Sequence, residues 1–165
     1  MKTHQHSINK PRESRLNTFE FALSTVTGAL ISVAMIVFFL IMKAVGLAEV
    51  PAFRHFNFVF MAIGIVSAYS IYKNKRAREG LDYLMGLRLG LRITLTAIIP
   101  FAVFMGIYLR MDPSFMEFIV NNAAWGEYLT PLNSAAAVGV EGFVSGALVS
   151  YITMPYFKKA SEVSE

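Results

Sequence analysis

The stretch from Leu87 to Leu109 is apolar and long enough to cross a bilayer, and that limits the fold more than any other feature. Arg88 and Arg92 stand at its start, Pro100 near its middle, and Arg110, Asp112 and Pro113 at its exit. Inside hydrocarbon no water is available to the backbone, so such a run must close its hydrogen bonds within itself as a helix. Three further runs share its character. The four spans are expected at about 19–45, 53–72, 86–109 and 132–157. The fold class is therefore all-α, a polytopic membrane protein with four transmembrane helices.

Composition agrees with that reading. Of 165 residues 55% are hydrophobic and only 16% charged, and the charges cluster between the long apolar runs. No stretch outside those runs is long enough to bury a core of its own. The expected organisation is a polar cytoplasmic tail over 1–17, a membrane domain over 18–159 and a short C-terminal tail over 160–165. The first apolar run exceeds the length of a cleaved leader and reads as a retained anchor.

The net charge of +4 comes from basic residues that flank apolar runs, which points to orientation in a membrane rather than to nucleic acid. Lys2, Lys10, Arg12 and Arg15 precede the first run, Lys73, Lys75, Arg76 and Arg78 follow the second, and Lys158 and Lys159 close the fourth. The intervening loops carry only Lys43, Arg54 and Arg110. The positive-inside rule then places both termini in the cytoplasm.

Local signals sharpen the spans. Asn17 and Glu20 have the spacing of a capping box at the start of the first. Ser24, Gly28 and Ser32 form a small-residue row that admits a neighbouring helix, as do Gly64 and Ala68 in the second span and Gly86 and Gly90 in the third. Tyr69 and Tyr72 stand where interfacial aromatics are expected. Pro100 removes a backbone donor, so a kink is expected there, with Thr94 and Thr96 placed to satisfy the freed carbonyl. Asp112 and Pro113 make a strong helix start. A short interfacial helix is expected after them, with Phe115, Met116, Phe118 and Ile119 on its apolar face and Trp125 and Tyr128 continuing the aromatic belt.

The fourth run carries the longest small-residue stripe: Ala135, Gly139, Gly142, Gly146, Ser150 and Thr153. Helix packing is expected to use Gly139, Gly142, Gly146, Gly86, Gly90 and Gly28. Glu141 lies about 13 Å inside the outer hydrocarbon edge on the opposite face, with Ser134 and Ser145. A carboxylate at that depth costs a few kcal/mol unless it is protonated, hydrated or paired. Arg88 and Arg92 share a face of the third helix, as lipid-phosphate anchors or with Arg92 reaching toward Glu141. Glu141, Arg92, Arg88 and Ser145 are the candidate intramembrane polar site.

No catalytic, cofactor or metal motif stands out. H-E-x-x-H, G-x-S-x-G and phosphate-loop patterns do not occur, there is no cysteine, and the His4/His6 pair lacks a third ligand. The expected function is non-enzymatic: a structural or accessory subunit acting by helix packing, as a homo-oligomer or within a larger membrane complex, among membrane lipids. The alternative is a small transporter or a lipid- or ion-binding protein using Glu141 with Arg88 and Arg92.

The segment GLDYLMGLRLGLRITLTAIIPFAVFMGIYLRMDPSFMEF, residues 80–118, resembles the third span of a Bacteroidota family of four-span membrane proteins, the domain of unknown function 4199. Tyr108, Asp112, Pro113 and Phe115 match that family's aromatic-x-x-x-Asp-Pro-x-Phe exit. GFVSGALVSYITMPYFKK, with Gly142 and Gly146, is similar to its fourth span. The resemblance runs over about 18–159 and implies a four-span fold and a bacterial membrane, with no assigned activity and no site.

Overall fold

The computed structural model describes the backbone of residues 10–50, 55–75 and 83–157, with side chains from Thr18 onward. His4, His6, Arg54, Arg76, Arg78, Lys158 and Lys159 lie outside the described residues. Every described element is helical: α1 Lys10–Ala44, α2 Phe56–Lys75, α3 Tyr83–Met111, α4 Pro113–Asn122 and α5 Pro131–Phe157, with a 3-10 turn at Gly126–Tyr128. Among the described residues four segments are long and apolar enough to span a bilayer: Thr18–Ala44, Phe56–Lys75, Tyr83–Met111 and Pro131–Phe157. The chain is an all-α multi-pass membrane protein.

The long helices alternate in direction and form a ring in which α3 packs on α1 and α5, and α2 packs on the same two from the other side. α1 and α3 run parallel, since both lead from the end of the bundle that holds Lys73 and Lys75 to the end that holds α4. We refer to these as the basic end and the α4 end. α3 supplies more of the core than any neighbour, including Leu89, Ile93, Ala97, Phe101 and Leu109.

Several boundaries differ from the sequence-based expectation. α1 begins at Lys10, not near Asn17. Asn17 and Glu20 are therefore interior helical positions, and the capping-box reading does not hold. α2 runs on to Lys75 and α3 starts at Tyr83, because Lys73, Lys75 and Arg88 can hold their charges near the rim while their stems stay helical. Tyr69 and Tyr72, expected at an interface, are buried in the bundle. The Tyr69 hydroxyl donates to the Gly86 carbonyl at 2.9 Å and so ties α2 to α3.

α3 is helical through Pro100. The threonines do not serve the carbonyl that Pro100 leaves without its helical donor. Thr94 Oγ1 donates to the Gly90 carbonyl and Thr96 Oγ1 to the Arg92 carbonyl, each at 2.9 Å. α1 ends in a Schellman turn: Gly46 adopts φ 73°, its N–H donates to Lys43 at 3.1 Å, and Leu47 N–H donates to Met42 at 2.8 Å.

The α4 end is closed by local chemistry. Asp112 Oδ1 accepts from the Phe115 N–H at 3.0 Å, with Pro113 as the first helical residue. α4 turns its apolar face onto the bundle, where Phe115 is buried with Phe39 at 5.8 Å and Tyr108 at 6.2 Å between ring centroids. Trp125 and Tyr128 remain exposed beyond it. Lys43 Nζ reaches Asp112 Oδ2 at 2.9 Å and lies 4.4 Å above the Phe115 ring, so one lysine joins the end of α1 to α3 and α4. Lys43 and the Phe115 N–H hold the Asp112 carboxyl below its ordinary value of 3.8.

Candidate functional site

Two acidic residues within the spans meet different surroundings. Glu20 is buried, with 1% of its surface exposed. Its Oε1 accepts from Arg88 Nε and its Oε2 from Arg88 Nη2, both at 3.3 Å, in a fork-to-carboxylate geometry. Arg92 Nη1 lies 3.6 Å from the same Oε1. The arginines stand one turn apart on α3, so their guanidinium groups converge on one point of α1. The acid that meets both is thus Glu20, 68 residues from Arg88 in sequence.

Glu20 lies five residues after Arg15, the last basic residue before the apolar run of α1, so the cluster sits near the rim of the apolar zone. The arginine side chains are half covered, with 51% and 44% of their surfaces exposed. Lys75 Nζ lies 3.6 Å above the ring of Phe19, the residue before Glu20, which puts further positive charge at the same end.

Glu141 stands on α5, on an exposed face. The small-residue stripe of α5 faces α3, and the contacts give an antiparallel register. Gly90 lies against Ser150, Gly146 against Thr94 and Gly142 against Ile98. A β-carbon at Gly146 would overlap the short Thr94 side chain, so close helix approach there favours glycine, whereas at Gly142 it would meet the flexible end of Ile98, which can shift. At Gly139 an added β-carbon would make only an ordinary contact, 3.6 Å from Ala102 Cβ. On the α1 side Gly28 packs against α3, where an added β-carbon would stand 2.6 Å from Thr96 Cβ. Gly86 is buried beneath Tyr69.

In this register Glu141 is level with residue 99 of α3, about 10 Å farther from the basic end than Arg92. It lies about 15 Å along α5 from Pro131, near the middle of the span. Glu141 is exposed, and so are Ala137, Val140, Val144 and Leu148 around it. Ser145 is half-buried, whereas Ser134, expected beside Glu141, is buried. Arg88 and Arg92 belong with Glu20 on the α1 side of α3, and α5 lies on another side, so the four residues expected in one polar site are distributed over two places.

The sequence reading missed Glu20 as the counter-charge of the two arginines. Its signal was present: a carboxylate just inside an apolar run, in a chain whose third span opens with two arginines. Among the described residues no three histidine, aspartate or glutamate side chains gather as a metal site. Comparison with protein-family models, curated proteins and solved structures gives no match. Fold and geometry define the class, a multi-pass helical membrane protein with a charged cluster at one rim and an exposed carboxylate at mid-span.

Proposed function

We propose that this chain is a non-enzymatic component of a bacterial cytoplasmic membrane, packing its helices against a second copy or partner subunits, with both termini in the cytoplasm. The observation that supports this most is Glu141, exposed at mid-span amid apolar neighbours. An acidic side chain on the outer face at mid-span is a costly group to present to acyl chains. A protein neighbour that covers that face shields it from lipid and fixes a register. The orientation is supported by Lys73 and Lys75 at the end of α2, with Arg76 and Arg78 next in sequence. The bacterial assignment extends the expectation drawn from the sequence of residues 80–118, a stretch that no family model matches.

The test is particle mass in mild detergent and in lipid nanodiscs, for the wild type and Glu141→Gln. The wild type is expected above monomer mass, or with a copurifying protein. The variant should shift association by about 3- to 30-fold, the range for a polar contact between membrane helices worth about 0.6–2 kcal/mol. A wild type that is monomeric and alone in both media overturns the proposal. Lost transport with intact assembly in Glu141→Gln would favour a small transporter instead. A single transport or lipid/ion site joining Glu141 to Arg88 and Arg92 has less support, since both arginines meet Glu20.

A further inference from the structure

The cluster at the basic end has charge and donors in excess of what Glu20 takes up. Among the described residues, two guanidinium groups and one carboxylate leave one net positive charge. Each guanidinium has five N–H donors in a planar fork. Glu20 engages two of those on Arg88 and lies beside one Nη of Arg92. About half of each arginine side chain is still exposed. The buried carboxylate also fixes where these long side chains point, so less rotamer freedom remains to be lost when an anion arrives.

Depth narrows the ligand. Glu20 follows closely on the polar segment that ends at Arg15 and Asn17, which is headgroup level and not mid-hydrocarbon. The anion abundant at that depth is a phosphodiester, and its single charge matches the net charge of the cluster. Arginine suits phosphate because two parallel N–H groups meet two oxygens. Lys73 and Lys75 make the same end more positive, which favours a lipid of net negative charge over a zwitterionic one.

We propose that Arg92 and Arg88 form a binding site for the phosphodiester of an anionic phospholipid, with Glu20 as the residue that positions them. Arg92 is the principal ligand, because its contact with Glu20 is the longer one and leaves more of its fork available. Arg88 holds Glu20 and offers its remaining edge. The site is independent of the Glu141 face, which lies on another helix.

The test is native mass spectrometry of the full chain from nanodiscs of phosphatidylglycerol and phosphatidylcholine in equal amounts. The wild type is expected to retain phosphatidylglycerol in clear excess. Arg92→Gln should lower that retention about tenfold, the loss of one charge-assisted contact, and Arg92→Lys should fall between. Arg92→Gln leaves Glu20 its two bonds from Arg88, so the variant should keep its fold. A measurement without variants runs alongside: phosphatidylglycerol should raise the melting temperature of the wild type in detergent, and phosphatidylcholine should not. Equal retention of the two lipids, undiminished retention in Arg92→Gln, or equal thermal shifts overturns the site. If millimolar inorganic phosphate displaces the lipid or gives the same thermal shift, the lipid assignment falls in favour of a free-phosphate site.

Discussion

Removing either partner of the Glu20 cluster should have unequal consequences, because the partners are buried unequally. Glu20 has 1% of its surface exposed, whereas Arg88 and Arg92 retain 51% and 44%. Without Glu20, the guanidinium groups can turn toward headgroup and water, and little charge is stranded. Glu20→Gln keeps a carbonyl in place, so it should cost about 1 kcal/mol, the net value of an ordinary hydrogen bond. Without the arginines, a carboxylate is left in the helix interface with no cation from α3. Breaking a buried ion pair from that side costs about 3–5 kcal/mol, and the Arg88→Gln/Arg92→Gln double variant should approach that range. Arg92 remains 3.6 Å from Glu20 when only Arg88 is changed, so Arg88→Gln alone should cost about 2 kcal/mol. The double variant combined with Glu20→Gln should recover much of the loss, since no charge is then buried. The assay is reversible unfolding of the purified chain in mixed micelles of mild detergent and dodecyl sulfate, followed by helicity. If Glu20→Gln costs as much as the double arginine variant, or if the triple variant shows no recovery, the assignment of the buried charge to Glu20 is wrong.

Three other perturbations test the packing around that site. Gly146→Ala places a β-carbon onto Thr94 and should destabilise the chain by about 1–3 kcal/mol, with partial recovery in Thr94→Ala/Gly146→Ala, both read by the same unfolding assay. Tyr69→Phe removes the bond to the Gly86 carbonyl and should cost about 1 kcal/mol, read from the same titration. The Asp112 carboxyl is held below its ordinary value of 3.8 by Lys43 and then by the Phe115 N–H, so the ionised form is favoured in the folded state. The stability it contributes is therefore complete above pH 3.8 and is lost as the pH falls through the depressed value. Asp112→Asn should flatten the melting-temperature profile in that acid window and leave its shape above it unchanged.

The parts of this fold that depend on local sequence were legible. Four apolar runs of bilayer length and the Asp112–Pro113 start of α4 each need only residues near in sequence, and each is present as a helix. The α5 small-residue stripe was also visible as a packing face, since 3.6-residue periodicity alone groups Ala135, Gly146 and Ser150. Which helix it meets was not visible, because no local pattern states that α3 stands between α1 and α5. The same limit hid Glu20. Three residues after Asn17 it resembles a cap, and only the parallel packing of α1 on α3 makes it the counter-charge of Arg88. The start of α1 was placed too late because Lys10–Asn17 are polar, and polarity was read as the end of the helix instead of the end of the apolar span. Tyr69 and Tyr72 were assigned to an interface by their position in the run, but a tyrosine that finds a carbonyl within the bundle can be buried whole.

The central functional claim concerns what faces Glu141 in the membrane, and site-specific photocrosslinking in intact membranes tests it most directly. A benzophenone amino acid at Val144, one turn from Glu141 on the exposed face of α5, should give a discrete adduct with a second copy or another protein. The same probe at Val103, on the exposed face of α3, serves as the comparison. The account predicts that position 144 yields protein adducts that Glu141→Gln diminishes. Lipid adducts alone at both positions would contradict it.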